Sequence, residues 1–278
     1  MVQTIRFLEA GHCKQIERFV NPKTGKWKSI RFPNTVAVIE HAKHGIILFD
    51  TGYTPRHYEI TKKLPASLYE KFVPVTVTPE DTALYQMKGL GIRESDIRTV
   101  VLSHFHADHI GGALDFTSAN FVYSRAEYER AQAMSTFQKF RHLYFPALLP
   151  TDLAQKAIPY GKKTPLPRLG ALSYGYDLLG DESIFVIPLP GHSLGHIGLY
   201  LPNVQGEEYL LLGDAAWTRT SVLKNIMPIG LASLIVFENG RTYAETLSKL
   251  HVLPKEIKLI PCHCHETLKE HGVQHDHV

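Results

Sequence analysis

Several short apolar runs in this chain end on a histidine or an aspartate, and that pattern restricts the fold more than any other feature. "TVVLSH" reaches His104, "SIFVIPLPGH" reaches His192, "YLLLGD" reaches Asp214 and "IKLIPCH" reaches His263. Runs of this length, bounded by Gly, Pro, Asn or Asp, read as buried strands. "TVAVIEH", "GIILFDTG" and "ANFVYS" add three more. Helical stretches fall between some of them, so the chain reads as α/β. Thr78-Pro79-Glu80-Asp81 looks like a helix start, with a stop near Gly89 and Gly91. Ser124–Glu127 and Thr242–Glu245 fit the capping box. In open α/β sheets, strands bring their C-terminal ends to one edge, and reactive side chains collect there.

The first run continues into His104, His106, Asp108 and His109, three imidazoles and a carboxylate within six positions. Side chains alternate along a strand, so His104 and His106 aim at one point. Asp108 and His109 are adjacent, and they cooperate only where the strand has ended. Gly111 and Gly112 permit tight turns and close backbone approach. A lone histidine is ordinarily a satisfied core or surface residue; four ligand-type residues crowded at a strand end are not. The natural reading is two neighbouring metal sites, one using His104 and His106, the other Asp108 and His109. His192, Asp214 and His263 stand at other strand ends as candidates to complete them. Imidazole and carboxylate suit Zn²⁺, with Fe or Mn as alternatives.

Composition narrows the field further. A formal net charge of +3 over 278 residues gives no electrostatic footprint for nucleic acid or a membrane surface. "MVQTIRFLEAGHC" has no continuous apolar segment of a signal peptide, and no run approaches a transmembrane length. Three cysteines, Cys13, Cys262 and Cys264, argue against a disulfide scaffold and for a reducing compartment, the cytoplasm. Cys262 and Cys264 read as buried packing thiols. His265, two residues after His263, competes with it as the last ligand. The tail "HGVQHDHV" reads as a mobile terminus. Residues 134–180 and 217–238 read as lid insertions within a single domain spanning 1–278.

The order HxHxDH, His, Asp, His resembles the metallo-β-lactamase superfamily over nearly the whole chain. Asp50-Thr51-Gly52 after "IILF" and the segment "PGHSLGH" strengthen the resemblance. It implies an αββα four-layer sandwich with a metal site at one edge of the sheets. It implies two divalent ions, His104, His106 and His192 holding one, Asp108, His109 and His263 the other, with Asp214 bridging. It places Asp50 and His196 behind the ligands, Asp50 orienting a ligand histidine by a hydrogen bond. The implied chemistry is hydrolysis by a metal-bound hydroxide, since zinc lowers the pKa of water from about 15.7 to about 7. Asp108, beside the shared solvent, is the candidate to orient that nucleophile and shuttle its proton.

Within the superfamily, "NTVAVIEHAKHGIILFDTGY", "LGIRESDIRTVVLSHFHADHIGG" and "GDAAWT" resemble the N-acyl homoserine lactonase branch, which opens a lactone ring. That branch carries a tyrosine three residues after the bridging aspartate, and this chain has Trp217 on the substrate side. An indole N–H donates a hydrogen bond but cannot act as an acid, and its bulk reads as an apolar wall. Three other readings share the motif: a glyoxalase-II-like thioesterase, a phosphodiesterase, and a non-catalytic metal-bound sensor or binding module. The expected partner is a small-molecule substrate, and a homodimer is among the assemblies left open.

Overall fold

A computed structural model describes residues 1–62, 64, 66–230 and 237–273. Twelve strands belong to one connected but folded sheet. The first half holds β1 (Val2–Ile16), β2 (Ser29–His41), β3 (Gly45–Phe49), β4 (Val75–Thr76), β5 (Ile97–Val101) and β6 (Asn120–Val122). The second holds β7 (Lys163–Pro165), β8 (Tyr174–Asp177), β9 (Phe185–Pro188), β10 (Ile197–Val204), β11 (Glu207–Gly213) and β12 (Ile257–Pro261). Strand order is β6-β5-β3-β2-β1 in one half and β12-β11-β10-β9-β8-β7 in the other. Among the described residues the halves pair strand to strand only through β1 and β10, at Val2 and Val204.

Apolar alternation along the strands sorts side chains into three of the four cores among the described residues. Val36 and Val38 of β2 enter one core, while Ala37 and Ile39 enter another. β3 repeats the division with Leu48 against Ile47 and Phe49. In the second half Val186, Leu199, Leu201 and Leu211 meet the same shared core as Ala37 and Ile39. Phe185, Ile187, Tyr200 and Leu210 turn the other way. The shared core therefore lies between the two half-sheets. Ala83 and Met87 of helix Ala83–Gly89 and Ala131 of helix Arg125–Ala133 cover one outer face. Tyr243, Leu247 and Leu250 of helix Gly240–His251 cover the other. The layers run helix, sheet, sheet, helix, which is the αββα sandwich. Each large apolar side chain so buried contributes about 1.5–3 kcal/mol.

Two helix starts differ from the sequence expectation. Thr78–Asp81 closes a turn, with the Asp81 carboxylate accepting the Thr78 N–H. Thr82 is the cap, accepting from the Tyr85 N–H, and the helix ends at Gly89. Proline suits both a first helical position and a turn, so Pro79 did not discriminate. Asn239 caps the later helix through the Thr242 N–H, which puts Thr242 inside the helix rather than at its start. Ser124 caps helix Arg125–Ala133 as anticipated.

The segment 134–180 divides. Its first part passes near the sheet edge where the histidines gather, and its second part forms β7 and β8, which extend the second half-sheet. Of 217–238, residues 231–236 lie outside the described residues, as do 274–278 of the histidine-rich tail. Among the described residues no helix is long and apolar enough to cross a membrane.

Candidate metal centre

β5 ends at Val101, so strand alternation does not aim His104 and His106. The Asp50 carboxylate instead receives the Ser103 backbone N–H at 2.7 Å and the Ser103 hydroxyl at 2.9 Å. The chain then enters the short helix Ala107–Ile110, with His106 at its cap. Asp108 and His109 cooperate because the strand has ended, as the sequence required. Gly111 and Gly112 have ordinary φ values, and their service is close approach. A Cβ at Gly111 would stand 2.6 Å from the Gly52 carbonyl oxygen, and one at Gly112 would stand 2.6 Å from that of Thr51. The loop carrying Asp50 therefore packs directly on the loop carrying the histidines.

Seven buried side chains converge here from both half-sheets. His192 Nε2 lies 3.1 Å from His104 Nε2 and 2.9 Å from His106 Nδ1. Asp214 Oδ2 lies 3.2 Å from His192 Nε2. The other oxygen of Asp214 faces elsewhere: Oδ1 is 3.0 Å from His263 Nε2 and 3.4 Å from His109 Nε2. Asp108 Oδ2 stands 3.4 Å from His109 Nε2 and 3.5 Å from His263 Nε2. Ligand atoms of His104, His106, His192 and Asp214 form one group within 4.8 Å of one another, and those of His109, Asp214, Cys262 and His263 form a second. Cys262 thus sits nearer the centre than packing alone implies, its thiol directed to the Thr35 carbonyl. His265 is exposed and begins the helix His265–Glu270.

Hydrogen bonds behind the rings decide which nitrogens face inward as lone pairs. Ser103 Oγ donates to Asp50 and so accepts from His104 Nδ1 at 3.0 Å, which leaves His104 Nε2 unprotonated. His109 Nδ1 donates to Asp50 Oδ2 at 2.7 Å, and His263 Nδ1 donates to the Pro33 carbonyl at 2.6 Å. Their Nε2 atoms then meet the Asp108 and Asp214 carboxylates with no proton between. His109 Nε2 and Asp214 Oδ1 have no hydrogen-bond partner despite burial. Only cations or added protons reconcile that arrangement, and the donor set of imidazole and carboxylate fits divalent zinc. His196 is pushed down to about 3 by burial, so it is neutral, and its Nε2 accepts the Asp214 backbone N–H at 3.0 Å. Asp50 and His196 therefore brace the cluster from behind.

Electrostatics separates the two groups. Burial holds His104 and His192 well below the usual histidine range, and drives His106 down to about 4. Burial opposes charge on His109 too, but Asp108 and Asp50 outweigh it and push that group well up. Asp214 does the same for His263. The carboxyl of Asp214 is held well below its ordinary value, because its histidine neighbours overcome the burial penalty.

Three contributors were missed in the sequence. Ser103 appeared only as the residue before a histidine. Asn34 donates through Nδ2 to Asp108 Oδ2 at 3.2 Å, from 74 residues away. Glu127 fits a capping box, yet its carboxylate accepts from Ser193 Oγ at 2.6 Å and the Gly195 N–H at 2.8 Å, tying the His192 loop to helix Arg125–Ala133. A glutamate at that position is ordinarily solvated; its burial was the missing signal.

A cleft opens over the cluster. Phe32, Tyr53, Tyr69, Val73, Leu143 and Trp217 line it together with His106, Asp108, Asp214 and His263. Trp217 is buried, edge-on to Phe32 at 5.7 Å between ring centroids.

Comparison with known proteins follows the same lines. A family model described as the metallo-beta-lactamase superfamily matches residues 30–263. An N-acyl homoserine lactonase from Bacillus thuringiensis is 26% identical over 248 residues, covering 89% of this chain and 90% of the relative. A solved N-acyl homoserine lactone hydrolase, with the product N-hexanoyl-L-homoserine at its catalytic metal centre, superposes with a TM-score of 0.74 at 22% identity, covering 97% of this chain and 96% of that one. The dizinc quorum-quenching lactonase AidC superposes with a TM-score of 0.65 at 15% identity, covering 95% and 89%. The two structural likenesses bear on the fold.

Proposed function

Since the chain belongs to the metallo-beta-lactamase superfamily, we propose that it is a dinuclear metal-dependent hydrolase opening a lactone such as an N-acyl homoserine lactone. The observation that carries this reading is Asp214, whose two oxygens face two different imidazole groups. His104, His106 and His192 would hold one ion, His109, His263 and Asp108 the other, and Asp214 both. Zinc bound there would supply a water with a pKa near 7 and offset charge developing on the acyl oxygen. Asp108 lines the cleft, with Asn34 fixing one of its oxygens. It orients the attacking water and takes its proton. The Bacillus thuringiensis relative, aligned over nearly the whole of both chains, supports a lactone as substrate. The modest net charge supports a small molecule over nucleic acid. Three buried free cysteines support a reducing, cytoplasmic setting.

The test pairs elemental analysis with turnover. Remetallated protein should hold two ions per chain and release acid from N-acyl homoserine lactone, losing that activity to a chelator and regaining it with zinc. One ion or none, or turnover of thioesters or phosphodiesters without lactones, overturns the reading.

A further inference from the structure

One wall of the cleft carries hydroxyl chemistry that the metal cluster does not use. Tyr53 and Tyr69 both line the cleft and both are buried, at 1% and 6% exposure. Their hydroxyl oxygens lie 3.0 Å apart. Two phenols carry two O–H hydrogens, and their mutual bond uses one. Among the described residues neither hydroxyl has a further hydrogen-bond partner, so one hydrogen is unspent where an unmade bond is costly.

The surroundings of the two phenols differ in exposure. Tyr53 is anchored by its backbone N–H to the Ala10 carbonyl, and its ring is sealed edge-on against His57. His57 is itself held by Glu70 at 2.7 Å. Tyr69, on helix Ser67–Phe72, is the less sealed of the two. Either phenol can donate in the mutual bond; with Tyr53 donating to Tyr69, the Tyr69 hydrogen is the one left for the cleft. Burial, reinforced by the Asp108 charge, pushes both phenols well up, so both stay protonated at neutral pH.

Three other donors outside the histidine and aspartate groups line the cleft: Cys13, Gln15 and Trp217. The Cys13 thiol is a weak donor, pushed up to about 12 by burial. Trp217 also lines the cleft, and its buried Nε1–H has no partner among the described residues. Neither an indole nor an amide gives up a proton. A leaving alkoxide needs one.

Resting on the lactone-hydrolase reading above, we propose that Tyr69, oriented by Tyr53, is the proton donor to the leaving oxygen. A water oxygen bonds to the acyl carbon and passes one proton to Asp108. The acyl C–O bond breaks, its electron pair going to the ring oxygen, which takes the Tyr69 hydrogen and becomes the alcohol. The proton on Asp108 returns through solvent to Tyr69, and the product is the hydroxy acid.

The experiment compares N-acyl homoserine lactone with the corresponding thiolactone, whose thiolate leaves without needing a proton. Tyr69→Phe should lower kcat on the lactone by about 10²-fold, the usual loss for one transition-state donor, with far less effect on the thiolactone. Tyr53→Phe should cost less on the lactone, because Tyr69 keeps its hydroxyl, and Trp217→Phe should affect both substrates alike. Equal losses on the two substrates for Tyr69→Phe, or none, overturn the assignment. If Tyr69→Phe does not fold, the native enzyme decides: turnover in D₂O should slow more on the lactone than on the thiolactone, and equal slowing overturns the proposal. A native enzyme that opens no lactone overturns the functional reading itself, whereas active native enzyme with indifferent Tyr69→Phe overturns only this donor.

Discussion

The two imidazole groups sit side by side yet differ in what faces them. His104, His106 and His192 face one another, and negative charge reaches their group from Asp214 and, at His106, from Asp108. His109 and His263 face Asp108 and Asp214, with Asp50 behind His109. The imidazoles of the first group are therefore uncharged near pH 7, while those of the second attract protons when no cation is present. A metal entering the first group displaces no imidazolium charge. A metal entering the second must displace protons, so its affinity depends on pH far more steeply.

Removing the shared residue should break the contrast altogether. Asp214→Ala is expected to lose both ions and to reduce activity to background, measured by elemental analysis beside lactone turnover; retention of either ion would show that the groups stand independently. A narrower cut comes next. His263→Ala should lose one ion, the second group's, while His265→Ala keeps two, because His265 is exposed on the helix that follows. The opposite outcome would move the ligand to His265.

Acid offers a graded probe. Lowering the pH from 7 should release the second group's ion before the first, followed by metal content after dialysis. Stability runs the other way in metal-free protein. His109 and His263 are raised above their unfolded value of 6.5, so their contribution is complete below that pH and fades as pH rises through the raised values. Metal-free protein should accordingly lose Tm between neutral and alkaline pH, and zinc-loaded protein should not. The smallest effect belongs to the brace: Asp50→Asn should weaken zinc binding by about 10–100-fold, the usual cost of losing a partner behind a ligand histidine, and chiefly at His109. A uniform loss across both ions would mean that Asp50 acts through Ser103 on His104 as well.

What could be read in advance, and what could not, divides by distance along the chain. The continuous apolar run Val36–Ile39 was legible as a buried strand because burial on both faces is a local compositional signal. The histidine and aspartate positions were legible because His104, His192, Asp214 and His263 each close an apolar run and His106, Asp108 and His109 crowd directly after the first. Helix starts at Thr78 and Thr242 were misplaced because several residues nearby were equally good caps. Asn34, Glu127 and the Tyr53–Tyr69 pair escaped notice because each acts on a partner brought close only by folding. No local pattern marks a tyrosine whose meaning is another tyrosine's hydroxyl.

Among the described residues the halves of the sheet pair strand to strand at a single point, Val2 and Val204, and the ligand groups straddle the seam between them. His104 and His192 stand 88 residues apart in sequence. An unfolded chain gathers such distant groups only against the entropy of closing a long loop, so it offers zinc no comparable site. Free metal at about 100 times its Kd then adds about 2.7 kcal/mol to the folded state. In a cell, that difference changes the open fraction roughly a hundredfold, and proteases act on the open fraction. Zinc supply would therefore govern the lifetime of the chain as well as its catalysis.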